Sequence, residues 1–262
     1  MKNLKGLPPV SCQRVCVFLF CLLPFFLGAC ATSGKSSHKL QARKIYDEAE
    51  KARSVKQKDD YYAKLKEAIE LDPKEPFYHL VLGDAYFMDM KLDEAEKEYL
   101  TSIKLGSKYQ EGFQQLGRLY MQKGQWDDAI FYLKKAVSVP NLISPHQVYN
   151  WLALSYYAKG ELNQAEKVWL KALGIKENGP IRLNLGMVYM QAEQFDLARD
   201  SLLIAVKENN NLTQAHYELG QLFLKDRNFV EARKHFETVV NLEPLGESAK
   251  ASKEYLKLIP KE

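Results

Sequence analysis

Apolar residues recur along this chain at helical spacing, and the pattern itself repeats. A small residue is followed twelve positions later by Ala or another core residue, and four positions after that by a bulky side chain. The small residues that open successive copies are spaced 34, 34, 36, 33 and 34 residues apart. The copies are Ala49, Tyr61 and Leu65; Gly83, Ala95 and Tyr99; Gly117, Ala129 and Leu133; Ala153, Ala165 and Trp169; Gly186, Ala198 and Leu202; Gly220, Ala232 and Phe236. Glycine inside a helical pattern costs about 1 kcal/mol relative to alanine. We therefore expect close approach of two helices at these positions.

The repeat resembles the tetratricopeptide repeat, a helix–turn–helix unit of 34 residues. Five copies also have Leu before the small residue and an aromatic residue three positions after it. The resemblance implies an all-α superhelical solenoid of six helix–turn–helix repeats plus a C-terminal capping helix, within residues 40–262. The repeats are predicted at 42–75, 76–109, 110–143, 146–178, 179–212 and 213–246, with the cap at 247–259. Ser144 and Pro145 form an insert between repeats three and four. Repeat one departs from the pattern, because Tyr61 stands where the other repeats have Ala.

The N-terminus has the features of a bacterial lipoprotein signal peptide. Basic residues precede an apolar run from Val15 to Leu27, which is shorter than the roughly 20 residues of a membrane span. The sequence Leu-Gly-Ala-Cys that ends at Cys30 resembles the lipobox. This implies a signal peptide at 1–29, a diacylglycerol and an N-acyl chain such as palmitate on Cys30, and a flexible lipidated tether at 30–39. A plain secretory signal or a retained anchor is the alternative.

The four cysteines agree with that interpretation. Cys12, Cys16 and Cys21 lie in the segment that would be removed, so the mature chain would keep only Cys30. An internal disulfide would then be impossible even in an oxidising compartment. The residue after Cys30 is Ala31, whereas an Asp at this position would suggest retention in the inner membrane. We therefore expect the periplasmic face of the outer membrane.

Composition and charge exclude several functional classes. Hydrophobic residues make up 46% of the 262 residues and charged residues 27%, an ordinary globular balance. The net charge is +4, and Lys2, Lys5 and Arg14 in the N-terminal segment contribute three of these charges. Nucleic-acid binding depends on a basic excess that neutralises phosphates. We therefore expect no nucleic-acid partner. A small-molecule substrate is not expected either, because the residue patterns described next indicate no catalysis.

No residue pattern indicates catalysis. The five histidines form no zinc-binding HExxH pair, and no Gly-x-Ser-x-Gly sequence occurs. His216 and His235 stand where they could meet across the two helices of repeat six, and packing is the simpler interpretation. The prediction is therefore a protein that is not an enzyme, with no metal and no cofactor. The alternative from a different functional class is that the protein is an enzyme.

The concave groove is the predicted functional surface. The resemblance places first-helix residues along it, and several of these are apolar beyond what the repeat core needs. Met and aromatic side chains suit adaptable binding of a peptide or protein segment. The predicted groove residues are Phe77, Leu80, Phe87, Met121, Leu154, Tyr157, Leu183, Met187, Met190 and Tyr217. Capture of the groove by the chain's own N-terminal segment, or by a second copy, is the alternative. Repeat one has Tyr46 and Glu50 where chaperone-type repeats carry the Lys and Asn of a carboxylate clamp.

The order of segments along the whole chain is similar to that of the pilotins of type IV pilus systems. The resemblance lies in the lipobox, the six repeats, the C-terminal helix and the insert at Ser144–Pro145. It implies a secretin subunit as partner and a role in type IV pilus biogenesis. Another envelope adaptor, for cell-wall enzymes or for β-barrel assembly, is the alternative.

Overall fold

A computed structural model describes residues 23–106 and 110–260, with side chains at 36–106 and 111–260. These residues form thirteen α-helices and no strand. The helices are α1 (Leu23–Ser54), α2 (Lys58–Leu71), α3 (Pro76–Met88), α4 (Leu92–Leu105), α5 (Gln110–Gln122), α6 (Trp126–Ser138), α7 (Pro145–Ala158), α8 (Leu162–Ile175), α9 (Gly179–Gln191), α10 (Phe195–Glu208), α11 (Thr213–Lys225), α12 (Phe229–Leu242) and α13 (Glu247–Leu258). The predicted all-α solenoid of six helix pairs and a final helix is confirmed.

The helices pack in chain order. Each odd-numbered helix from α1 to α11 packs against the even-numbered helix that follows it, and each pair packs against the next. The first helices of neighbouring pairs also meet, α3 with α5 and α5 with α7. Helix α13 packs on α12 and α11 and so covers the last pair. This arrangement places a row of first helices side by side, as a stacked-repeat groove requires.

Close approach within each pair explains the repeated small residues. A Cβ atom placed on Gly117 would lie 2.5 Å from Cγ of Leu133, and one on Gly83 would lie 2.6 Å from the Tyr99 ring. Both distances are far below the usual carbon–carbon contact of roughly 3.5–4.0 Å. The bulky residue sixteen positions after each glycine therefore occupies the space that a larger side chain would need.

Several buried polar side chains form hydrogen bonds between the two helices of a pair. The Tyr99 hydroxyl donates to Asp84 Oδ1 at 2.7 Å, and Trp169 Nε1 donates to Asn150 Oδ1 at 2.7 Å. Ser102, which is fully buried, donates to the backbone oxygen of Pro76 at 2.9 Å. These bonds link the two helices of a pair and avoid the cost of an unsatisfied buried group.

Ion pairs join successive repeats at the loop end of the helices. Each pair connects a residue just after a first helix with a residue on the second helix of the preceding repeat. The basic partner belongs to the earlier repeat in the first and last of these pairs and to the later repeat in the middle two. They are Lys58–Asp89, Lys123–Asp93, Lys159–Asp127 and Arg199–Asp226.

The N-terminal segment differs from the expectation of a flexible tether at 30–39. Helix α1 begins at Leu23 and continues through this segment. No proline follows Pro24 within the described helix, so no later residue removes a helical hydrogen-bond donor. Lys39 Nζ lies 3.9 Å from a carboxylate oxygen of Asp72, the residue that follows α2, and this contact ties the end of the segment to the first pair. No described helix is both long and apolar enough to cross a bilayer.

The signal peptide and the lipid anchor stay predictions. Residues 1–22 lie outside the described chain, and the thiol of Cys30 lies outside the described side chains. The insert is described: Ser144 adopts left-handed φ of 54°, and Pro145 begins α7. The first helix of repeat four therefore starts one residue earlier than the predicted boundary at 146.

Candidate functional site

The predicted groove residues lie on first helices and are partly exposed, but Leu80 is an exception. Its side chain is only 7% exposed and lies in the core cluster that contains Tyr99 and Leu116. Helices α3 and α5 pack together, so the flank of α3 that carries Leu80 is covered by the next repeat. The prediction that Leu80 lines an open groove is wrong.

Phe77 and Tyr217 lie at the two ends of the row and pack against neighbouring elements. The Phe77 ring centroid is 5.1 Å from that of Tyr46 on α1. Tyr217 is 6.2 Å from Phe236 and belongs to a cluster that includes Tyr255 of the final helix. Both side chains are half-buried, and their positions are explained by packing at the ends of the solenoid.

Five partly exposed apolar residues in the middle of the row are the predicted groove residues of two successive repeats, and we call them the apolar patch. Its residues come from α7 and α9, the first helices of repeats four and five. Tyr157 lies 5.9 Å from the Trp169 ring, which anchors one edge of the patch to the core. The patch residues are Leu154, Tyr157, Leu183, Met187 and Met190. Each is neither fully buried nor fully exposed, so the patch offers apolar surface to a partner.

Phe87 and Met121 line a cavity of about 340 Å³. Sequence analysis missed two large aromatic residues of this cavity, Trp126 and Trp151. It counted only the usual concave positions of first helices, whereas Trp126 opens a second helix and Trp151 lies at another position of a first helix. The other lining residues are Arg118 and Gln122.

Arg118 lies at the centre of this cavity's polar contacts. Its guanidinium carbon is 5.3 Å from the ring centroids of both Phe87 and Trp151, within cation–π distance. Arg118 Nη1 donates to Gln115 Oε1 at 2.9 Å. The aromatic rings come from repeats two and four, while Arg118 belongs to repeat three. Three successive repeats therefore build the cavity.

Asp84 lies next to this group and is mostly buried. Its Oδ1 accepts hydrogen bonds from Tyr99 and from Gln115 Nε2 at 2.7 and 2.8 Å. Burial raises the pKa of Asp84 above its ordinary value, although both bonds and the Arg118 charge act in the opposite direction. Gln115 thus connects a carboxylate and a guanidinium that do not contact each other directly.

A second cavity, of about 510 Å³, opens between repeats one and two. The Tyr62 hydroxyl donates to Asp89 Oδ2 at 2.7 Å, and Lys58 pairs with the same carboxylate. Met88 at its edge is 80% exposed. Sequence analysis did not select this cavity, because repeat one departs from the repeat pattern. Its other lining residues are Glu50, Arg53, Ser54, Tyr61 and Ala85.

His216 and His235 do meet across repeat six, with 2.8 Å between their Nδ1 atoms. His216 Nε2 lies 3.0 Å from the Asn210 carbonyl, which can only accept. In the neutral pair His216 therefore carries its proton on Nε2, and His235 Nδ1 donates to His216 Nδ1. Burial lowers the pKa of both rings. Within the described residues, no cluster of three or more His, Cys, Asp or Glu side chains is arranged to hold a metal ion.

Comparison with known families and proteins agrees with this geometry. The family model for the tetratricopeptide repeat matches residues 115–180 and 183–249. The anaphase-promoting complex subunit CDC16 of Saccharomyces cerevisiae is 26% identical over 208 residues, which are 75% of this chain and 24% of that protein. The chain thus spans about a quarter of the length of this relative.

Two solved structures are similar over nearly their whole length. PilF of Pseudomonas aeruginosa is 15% identical, with a TM-score of 0.70, over 85% of this chain and 99% of that one. PilW, described as a widely conserved type IV pilus biogenesis factor, is 16% identical, with a TM-score of 0.68, over 80% and 97%. At these identities the likeness shows a shared fold.

Proposed function

Since the chain belongs to the tetratricopeptide repeat family, whose members bind peptides or protein partners, we propose that it is a membrane-anchored scaffold that binds a protein segment in its groove. In this proposal it acts as a pilotin-like factor in the bacterial envelope. It promotes assembly of a type IV pilus secretin in the outer membrane.

The observation that carries the binding role is the apolar patch on α7 and α9. Tyr157 and Met187 present partly exposed apolar surface on adjacent first helices, although the core positions of both repeats are already filled. Exposed apolar surface of this kind usually marks an interaction site. A few anchors in such a surface carry most of the binding free energy.

The pilus role is supported by the extent of the structural likeness. PilF and PilW match this chain across 99% and 97% of their own length and across 85% and 80% of this chain. The membrane anchor is supported by the Leu-Gly-Ala-Cys sequence at Cys30. Two or more acyl chains anchor a protein stably, since each buried CH₂ contributes about 0.8 kcal/mol.

The double change Tyr157→Glu with Met187→Glu tests the binding role. It places two charges in the patch and leaves the buried core residues untouched. We expect a folded protein that no longer supports assembly of its partner. In cells, detergent-resistant secretin multimers should decrease and secretin monomers should accumulate. The measurement is an immunoblot of secretin from cells that express each variant at equal level.

The matched control is Leu170→Glu with Leu203→Glu. Both leucines lie on second helices of the same two repeats and are 46% and 39% exposed. This control adds the same charge to the same repeats away from the row of first helices, so it should leave secretin multimers intact. Normal multimers with the patch variant, at an unchanged melting temperature, would refute binding at this patch. Crosslinking in intact cells would then show whether a cell-wall enzyme or a β-barrel assembly factor is the partner.

A further inference from the structure

We propose that the basic segment of α1, defined by Lys39, Leu40, Arg43 and Lys44, lies along a bilayer surface that carries anionic phospholipid headgroups. This inference rests on the membrane anchor of the proposed function and adds a second contact between the protein and the bilayer. The chemical groups that bind the segment are the phosphates of the lipids around the anchor. The contact fixes the orientation of the repeat array relative to the bilayer.

Positive charge is concentrated beside the proposed anchor. Residues 30–46 include four basic residues and no acidic residue. Residues 47–262 contain 30 basic and 33 acidic residues, so the net charge of this part is −3. The four basic residues are Lys35, Lys39, Arg43 and Lys44. An anionic surface therefore attracts the processed chain through this short segment, whereas the repeats as a whole contribute no net attraction.

The basic segment lies where α1 leaves the packed array. Ala42 is fully buried, whereas residues 36–41 are all exposed. The side chains of Lys39 and Arg43 are 67% and 60% exposed, and Lys44 is exposed as well. Residues four positions apart lie on the same side of a helix, so Lys39 and Arg43 present their charges in one direction.

The carboxylates near these side chains hold them only weakly. Lys39 Nζ lies 3.9 Å from an oxygen of Asp72, and Arg43 Nε lies 3.3 Å from Oδ1 of Asp47. Both basic side chains are mostly exposed, and ion pairs of this kind contribute little to stability because water and salt screen them. The two cations can therefore turn from these carboxylates to lipid phosphates without a large loss of stability.

Leu40 adds an apolar contact to the basic segment. Its side chain is 61% exposed, and it stands next to Lys39 and four residues before Lys44. Helices that lie in the interface of a bilayer combine basic residues at the phosphates with apolar residues that enter the boundary between headgroups and acyl chains. The exposed leucine therefore favours a lipid surface over a free anion, which offers no apolar layer for it.

The helical conformation of α1 determines which orientation brings this charge to the lipids. Lys39 is nine residues after Cys30, about 14 Å along the helix, and Lys44 is about 21 Å along it. Screening by salt limits the attraction to roughly 8 Å at physiological ionic strength. An upright helix would hold both side chains beyond this range, whereas a helix parallel to the surface brings them into contact. Each basic residue at an anionic surface favours the bound orientation by about fivefold.

Quenching of a fluorophore by lipid headgroups measures this orientation. Ser37→Cys, at an exposed position beside the basic segment, is labelled in the full chain purified from cells, in which the proposed acylation blocks the thiol of Cys30. The protein is incorporated into vesicles of phosphatidylcholine alone, or of three parts phosphatidylcholine and one part phosphatidylglycerol. Both kinds of vesicle contain the same amount of a phosphatidylcholine that carries a nitroxide on its headgroup and quenches at short range. Flotation of the vesicles measures attachment independently.

We expect the protein to float with both kinds of vesicle, and the fluorophore to be quenched about twofold more in the presence of phosphatidylglycerol. Raising the salt concentration from about 0.1 to 1 M shortens the screening length from roughly 10 to 3 Å, so it should remove the difference without releasing the protein. The triple change Lys39→Gln, Arg43→Gln and Lys44→Gln should also remove the difference at low salt.

The matched control is Lys250→Gln with Lys253→Gln and Lys257→Gln. These lysines are exposed on α13, at the opposite end of the array, and Lys250 and Lys257 pair with glutamates of the same helix. The control removes the same charge as the triple change in α1, and it should keep the dependence of quenching on phosphatidylglycerol.

The outcomes separate this inference from the proposed anchor. Equal quenching in the two kinds of vesicle, or an unchanged difference in the triple variant at a normal melting temperature, would overturn the inference and leave the anchor intact. Failure to float with either kind of vesicle would refute the anchor and this inference with it. Flotation with anionic vesicles alone, reversed by salt, would support the basic segment as a lipid contact while refuting the anchor of the proposed function.

Discussion

Adding one methyl group at Gly117 tests how closely the two helices of a repeat approach. The new Cβ would lie 2.5 Å from Cγ and 2.6 Å from Cδ2 of Leu133, so the helices must separate or Leu133 must leave its rotamer. Overpacking of this kind costs about 1–3 kcal/mol. Alanine also favours the helix by about 1 kcal/mol over glycine. We expect Gly117→Ala to lower the free energy of unfolding by roughly 0–2 kcal/mol.

Combination with Leu133→Ala separates the two contributions. Leu133 is fully buried, so its truncation alone should cost about 2–5 kcal/mol. In the double variant the clash is gone and the methyl group fills part of the cavity. We therefore expect the double variant to be about 1–3 kcal/mol more stable than the sum of the single changes predicts.

Gly174→Ala is the matched control for helix propensity. Gly174 lies in α8, and a Cβ on it would meet no atom within 4 Å. This change should stabilise the protein by about 0.4–1 kcal/mol. Urea unfolding followed by circular dichroism provides the free energies, and equal m-values show that the variants unfold alike. Two results together would refute close approach at Gly117. The effects of Gly117→Ala and Leu133→Ala on the free energy of unfolding would add, and Gly117→Ala would stabilise the protein as much as Gly174→Ala does.

Three further outcomes are expected. Burial lowers the pKa of His235 to about 4, and His216 adds to this effect. Between pH 6.5 and 4 the unfolded chain then binds a proton that the folded chain does not. The free energy of unfolding should therefore fall as the pH falls through this window, and it should fall less in His235→Phe. Cys30→Ala should leave an unprocessed precursor that takes up no labelled palmitate. Trp169→Phe should lower the free energy of unfolding by about 1–3 kcal/mol, measured by urea unfolding, because Asn150 Oδ1 loses its indole donor at 2.7 Å and keeps only the longer bond from Asn184 Nδ2 at 3.3 Å.

The sequence predicts the helix pairs well because their packing is local and repetitive. Gly83 and Tyr99 are sixteen residues apart, and the same contact recurs in each pair with a glycine at this position. The pattern therefore specifies the partner as well as the helix. The helix pairs can therefore be predicted from the repeat spacing alone, because the contacts between repeats are not needed to identify which two helices pack together.

The groove was less predictable because exposure depends on neighbouring repeats. Leu80 fits the groove pattern, yet the following first helix covers it. Trp151 was missed because it reaches a cavity formed with residues of the two preceding repeats. The helical segment at 30–39 also escaped prediction, because small polar residues were taken to indicate a flexible tether. They are compatible with a helix that continues from residues packed on α2.

The ion pairs between repeats do not all have the same polarity along the chain, and this has a consequence for the order in which the units assemble. In a chain of similar units, docking of the wrong neighbours is a characteristic folding error. If repeat three docked directly on repeat one, Lys123 would face Lys58, and if repeat six docked on repeat three, Asp226 would face Asp127. Each exposed pair contributes little to stability by itself. Their sequence of signs nevertheless disfavours these two misassembled arrays, so charges that barely stabilise the correct fold help to exclude incorrect ones.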